Sequence, residues 1–170
     1  MEEDFWTQAV EYADSVGADI VTSSLGYTEF DDKAASHKYR EQDGRTALIS
    51  RTASMISGKG MILTNSAGNT GAAEWKRIGF PGDAHDVLTV GALAPDSTNT
   101  TFSSVGPTYD GRVKPDVMAM GGYCTVINGK GLVAHANGTS FSTPITCGLA
   151  ACLWQALPNK TASEIMQLVR

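Results

Sequence analysis

The residues best suited to chemistry lie in one run, Asn137-Gly138-Thr139-Ser140-Phe141-Ser142-Thr143-Pro144-Ile145-Thr146-Cys147-Gly148. Turn-forming residues open it and a long apolar stretch follows, so Ser140 stands at the start of a helix. A hydroxyl placed there gains from the helix dipole, because an anion forming beside it faces N–H groups that have no partner within the helix. That environment suits a nucleophile attacking a carbonyl carbon. Gly138 lets the backbone turn tightly and lets a substrate come close. Pro144 is expected within the first turn or so, where a missing N–H costs little. A bare Thr-Ser before a helix is ordinarily only an N-cap. The case for chemistry therefore rests on what surrounds Ser140.

A second candidate is Asn69, in Ser66-Ala67-Gly68-Asn69. A side-chain amide at a strand end can aim its N–H at a developing negative oxygen, although an isolated Gly-Asn is usually a plain turn. A serine hydroxyl also needs a general base, and the base needs an orienting carboxylate. The histidines are His37, His85 and His135. His37 lies in a polar stretch and reads as a surface residue, and His85 sits in a loop entering a strand. His135 precedes the Ser140 turn on a strand, where a structural histidine is the default and a non-standard dyad with Ser140 is the alternative.

The spacing Gly-Thr-Ser-x-Ser-x-Pro over 138–144, with small residues at 146–148, resembles the nucleophile motif of the subtilase family. On that resemblance Ser140 is the nucleophile and Asn69 donates to the oxyanion. Ser24-Leu25-Gly26 resembles the family's substrate-binding edge, to which an extended peptide adds as a strand. With Ser66, Ala67 and Gly68 it implies the walls of the pocket for the residue before the cut bond. Gly79-Phe80-Pro81 resembles the pocket floor, with Pro81 implied to be cis. Segments 102–107 and 110–116 also look subtilase-like, in a structural role. Phe141 stands where Met is commoner in the family, and Met120 where a Pro often precedes Gly121. Residues 27–57 form a longer polar insertion than compact members have, one that shapes the cleft or decorates it.

In the subtilisin order Asp comes first, His second and Ser last. The family's Asp-Ser/Thr-Gly turn and His-Gly segment do not occur in these 170 residues. The resemblance thus implies that residues 1–170 are the C-terminal portion of a subtilase catalytic domain, incomplete for want of its N-terminal half and inactive alone. The intact protein is expected to be a serine endopeptidase acting through an acyl-enzyme on peptide or protein substrates. The alternative is a pseudo-protease module that binds peptide without cutting it. A Ser-His-Asp enzyme of the α/β-hydrolase kind is a weaker rival, because no Gly-x-Ser-x-Gly elbow is present. No organic cofactor is implied. Structural calcium is common in the family, but no acidic cluster here is assigned as its site. The intact protein is expected to be exported, with its signal upstream.

The scaffold for these segments can be read from periodicity and punctuation. Phe5, Ala9, Val10, Ala13 and Val16 recur at helical spacing over 3–16, and Gly17 ends that helix. Residues 18–25 read as a short buried strand, 61–64 as a brief apolar one and 87–93 as another short strand. Helices are expected over 46–57, stopped by Gly58, and over 140–156. A last one begins at Thr161, where Thr161 and Glu164 form a capping box. Strand and helix in alternation predict an α/β fold with a mostly parallel sheet flanked by helices. Such sheets bind ligands beyond the carboxyl ends of their strands, where 24–26 and 65–69 lie. A half-sheet would expose strand edges and apolar surface, so the isolated chain is expected to self-associate.

Composition narrows the classes. Hydrophobic residues make up 42% and charged residues 18%, as in a folded domain. The net charge is -5 with no Lys/Arg block, which argues against nucleic acid as a partner. No apolar run is long enough to span a bilayer. Cys124, Cys147 and Cys152 read as three buried free thiols, and no Cys/His spacing resembles a zinc site.

Overall fold

The computed structural model describes residues 2–170. Its centre is a sheet of four parallel strands, β1 (Ile20–Ser23), β2 (Ile62–Ser66), β3 (Leu88–Leu93) and β4 (Val117–Met120), lying side by side in that order. The register sets Ser23 opposite Asn65 and Asn65 opposite Thr89. The carboxyl ends of β1 and β2 therefore finish level, and the segments after Ser23 and Ser66 emerge at one edge.

Successive side chains of a strand point to opposite faces. Leu63 faces helices α1 (Glu2–Ser15) and α2 (Leu48–Gly58), where it packs with Trp6, Val10, Ile49, Ala53 and Ile56. Ile62 faces the other way and, with Leu88, packs against helices α3 (Thr139–Ala156) and α4 (Ala162–Val169) through Ala150, Ile165 and Met166. Each fully buried side chain of this size stabilises the fold by about 1.5–3 kcal/mol. The α/β architecture expected from the sequence is the observed one.

Local signals are realised at several points. Gly17, at φ 78, ends α1: its N–H bonds the carbonyl of Asp14, and Ala18 N–H bonds that of Ala13. That pairing is the Schellman arrangement, which needs a left-handed residue. Thr161 accepts from Glu164 N–H and Glu164 returns the bond to Thr161 N–H, as a capping box requires. The Phe80–Pro81 peptide is cis. Lys114, almost fully buried, donates to the Val87 carbonyl, Thr89 Oγ1 and Asp116 Oδ2. The Lys-Pro-Asp segment thus joins the starts of β3 and β4.

Other expectations are corrected. Trp6 and Val10 carry the buried face of α1, while Phe5 and Val16 are exposed. Of the five apolar positions at helical spacing, Val10 and Ala13 face the core, and Trp6 completes that face in place of Phe5. Helical crossover occurs only between β1 and β2, because β2 to β3 and β3 to β4 are joined by irregular loops. The strands β5 (Cys124–Ile127) and β6 (Val133–Ala136) form a separate antiparallel hairpin. Residues 27–57 are not merely polar, since they include α2 with Ile49, Ala53 and Ile56 in the core. Of the cysteines, all free, only Cys124 is buried; Cys152 lies on the open side of α3. Among the described residues no helix is long and apolar enough to cross a membrane.

Candidate active site

Ser140 is the second residue of α3, as its sequence context requires. Pro144, the sixth, sits in the second turn rather than the first. Its missing N–H would have served the carbonyl four residues earlier, which is that of Ser140. The freed carbonyl accepts a hydrogen bond from Ser24 Oγ at 3.0 Å. In return Ser140 Oγ donates to the Ser24 carbonyl at 3.4 Å. Two residues 116 apart in sequence are thus locked together, the exit of β1 against the start of α3.

Asn69 approaches the same helix start. Its Oδ1 accepts from Thr139 N–H and from Thr139 Oγ1, both at 2.9 Å. Those two donors fix which end of the amide is oxygen. Nδ2 is then turned to the other side with no protein acceptor among the described residues. Phe141 N–H is taken by the Gly138 carbonyl. Ser140 N–H, a first-turn donor, has no partner among the described residues. A side-chain amide and a backbone N–H are thereby left free around the Ser140 hydroxyl.

Between these groups lies a cleft of about 270 Å³ lined by Ser24, Leu25, Gly26, Thr28, Ser66, Gly68, Asn69, Thr70, Gly79 and Ser140. Seven of the eight residues singled out by sequence come together here. Ala67 does not: it is fully buried, with its N–H on the Val90 carbonyl and its own carbonyl taking Gly79 N–H, so it backs the wall. Gly68 has φ 105, and a Cβ there would meet Ser104 Oγ at 2.9 Å. Only glycine fits that turn.

The structure adds residues that the sequence did not point to. Asn65, fully buried at the end of β2, donates from Nδ2 to the Leu25 carbonyl at 3.3 Å and the Ser66 carbonyl at 2.9 Å, tying the two walls together. A polar Asn inside an apolar strand was the available signal. Trp6 Nε1 donates to Ser23 Oγ and holds the end of β1 from behind. Thr70 and Ser104 share a hydrogen bond beneath Gly68.

Each histidine is engaged away from Ser140. His85 Nε2 is 3.0 Å from the Asp43 carbonyl. The His135 ring is exposed and stacks on Tyr123 at 4.0 Å, which gives a dyad no support. His37 is not a surface residue. Its side chain is 9% exposed, with Nε2 2.7 Å from Glu3 Oε1 and Nδ1 3.2 Å from Glu41 Oε2. Burial pulls its pKa down, but the hydrogen bonds and charges of the two carboxylates outweigh that and leave it above the ordinary histidine value. The polar context of 27–45 concealed this burial because the partner Glu3 comes from α1.

Among the described residues no group of three or more His, Cys, Asp or Glu is gathered so as to hold a metal ion.

The model of the Subtilase family (Peptidase_S8) matches residues 3–170. The chain is 30% identical to serine protease AprX of Bacillus subtilis, over 89% of this chain and 37% of that protein. It is 27% identical to subtilisin DY of Bacillus licheniformis, over 92% of this chain and 50% of that protein. Among solved structures, the patellamide maturation protease PatA superposes with a TM-score of 0.74 at 26% identity, over 99% of this chain and 57% of the other. The chain thus spans half or less of the length of these two curated relatives.

Proposed function

Since the chain belongs to the subtilase family, we propose that residues 1–170 are the C-terminal portion of its catalytic domain, and that the intact protein is a serine endopeptidase of the subtilisin type. The observation that carries this reading is the meeting of Ser140, its own N–H and Asn69 Nδ2 around one cleft. Ser140 Oγ attacks a peptide carbonyl and passes its proton to a histidine supplied from outside these residues. The carbonyl oxygen becomes an oxyanion held by Asn69 Nδ2 and Ser140 N–H. The tetrahedral intermediate expels the amine, which leaves with that proton, and water then hydrolyses the acyl-serine. The exposed edge at 24–26 takes the substrate as an added strand. Export of the intact protein belongs to the same proposal.

The test is labelling by a fluorophosphonate probe, on residues 1–170 and on the full-length protein. Labelling of the longer protein alone is the expected result. A folded full-length protein that does not label would favour the peptide-binding pseudo-protease instead. Labelling of residues 1–170 by themselves would contradict the need for an outside base.

The lock between Ser24 and Ser140 gives a graded prediction. Ser24→Ala removes a neutral hydrogen bond of about 0.5–1.5 kcal/mol and lets the substrate edge drift from the nucleophile. A several-fold fall in kcat/KM of the intact protein is expected, and an unchanged value would remove Ser24 from the positioning machinery.

The same reading predicts that residues 1–170 alone associate. β1 and β4 are open edges, and Ile145 and Leu149 of α3 are 53% and 59% exposed. Unpaired edges beside apolar surface template contact with another chain. Light scattering across a dilution series should show mass rising with concentration; a constant monomer mass would refute it.

A further inference from the structure

We infer that His37 is a positioning residue for the substrate cleft, holding the cleft's 26–28 wall and its floor at 79–80 in place as an imidazolium and releasing them when that charge is lost. The inference rests on the cleft being the substrate site, as proposed above.

The geometry calls for the charged ring. A neutral imidazole has one N–H and one lone pair, so it can donate to only one of two flanking carboxylates. Here both ring nitrogens face carboxylate oxygens, Glu3 Oε1 at 2.7 Å and Glu41 Oε2 at 3.2 Å. The neutral form would turn a lone pair toward one of them. The clamp joins three elements, with Glu3 on α1, Glu41 in the 3-10 turn Tyr39–Glu41, and His37 in the chain between β1 and α2.

The same residue backs onto the cleft lining, its ring against Phe80, which follows the lining residue Gly79, and its backbone on the lining residue Thr28. It stacks on Phe80 with centroids 4.2 Å apart, and Phe30 meets it edge-on at 5.7 Å. Phe80 follows Gly79 of the floor and is fully buried. Its N–H and carbonyl both pair with Tyr27, at 3.0 and 2.9 Å. The His37 N–H bonds the carbonyl of Thr28, itself a lining residue, at 2.9 Å. Gly26 and Gly79 run so close that a Cβ on Gly79 would lie 3.6 Å from Gly26 Cα. A shift of His37 thus reaches the floor and Tyr27 through the ring's contact with Phe80, and the wall through the backbone bond to Thr28.

Glu3 and Glu41, the carboxylates that face the ring directly, favour its charged form. Tyr27 stands on the wall with its hydroxyl pKa raised, first by burial and then by Glu2 and Glu3. Lys38, the adjacent cation, is exposed and sends its backbone N–H to Glu41 Oε2. Because the folded-state pKa of His37 is raised, the clamp is fully present below the unfolded histidine value and is lost as pH rises through the folded one. Coupling between two sites is reciprocal, so a bound peptide should in turn favour the protonated ring.

The experiment follows hydrogen exchange of segments 26–30 and 79–80 in the full-length protein against pH, corrected for intrinsic exchange, alongside His37 titration read by NMR. In the unaltered protein, protection of both segments should fall about fivefold or more as His37 deprotonates, the lower end of ordinary site coupling. Glu3→Gln should move the titration and the loss of protection together to lower pH, a joint shift that a purely structural role would not give. His37→Gln should leave both segments weakly protected with no pH step. KM for a peptide p-nitroanilide should rise over the same pH window while kcat follows its own profile. Protection or KM indifferent to His37 titration, in the unaltered protein and in Glu3→Gln alike, would overturn the inference whatever the activity. Protection that follows His37 in a protein that neither labels with fluorophosphonate nor cleaves peptide would sink the protease reading and uphold the clamp.

Discussion

Replacing Ser140 by alanine in the intact protein is expected to abolish fluorophosphonate labelling and to lower kcat by roughly 10⁶-fold, the scale known for nucleophile removal in a subtilisin. The expectation follows from position rather than from residue type. Ser142 lies two residues on, yet its hydroxyl is buried and donates to the Thr139 carbonyl at 2.9 Å. Ser140 Oγ borders the cleft, and its protein contact is a long one to the Ser24 carbonyl. A substrate can displace that contact at little cost. Ser142→Ala is therefore the control: it should keep labelling and most activity while losing some stability. Rates for Ser140→Ala should still exceed the uncatalysed reaction by about 10³–10⁴, because the oxyanion donors and the cleft remain. If Ser140→Ala still labels at one serine and Ser142→Ala does not, the nucleophile has been assigned to the wrong hydroxyl.

What could be read before the fold was known was whatever is written locally. The Schellman stop at Gly17, the capping box at Thr161 and the helix beginning beside Ser140 each depend on residues within a turn or so of one another. The cleft was legible through motif resemblance, which fixes residue types at a spacing without saying how they touch. Contacts between distant segments were not legible. The Ser24–Ser140 lock depends on Pro144 freeing one carbonyl and on β1 ending level with β2. The burial of His37 depends on Glu3, 34 residues earlier on a helix whose buried face is set by Trp6 and Val10. The loops from β2 to β3 and from β3 to β4 follow turn chemistry, which carries no periodicity to read. Ala67 illustrates the limit of a motif: it lies among residues that line the cleft but turns into the sheet.

Asn69 separates two effects that a single alanine would confound. Its Nδ2 is the proposed oxyanion donor, whereas its Oδ1 anchors Thr139 N–H and Oγ1 at the start of α3. Asn69→Ala removes both. It should lower kcat about 10²–10³-fold, the scale of losing such a donor in a subtilisin, and destabilise the helix start by about 1 kcal/mol as a lost cap does. Asn69→Asp keeps the acceptor for Thr139 and removes the donor, with a carboxylate now facing the developing charge. Its melting temperature should stay near that of the unaltered protein while kcat falls at least as far as in the alanine variant. KM should move little in either case, because the donor engages the oxygen chiefly once it carries charge. An aspartate variant with full kcat would mean that Ser140 N–H and other donors suffice, leaving Asn69 only an anchor for α3. A kcat that falls together with stability, and by similar factors in both variants, would point to a displaced helix start rather than a missing hydrogen bond in the transition state. The two substitutions read together therefore assign the amide's oxygen to the fold and its nitrogen to the chemistry, or refuse that division.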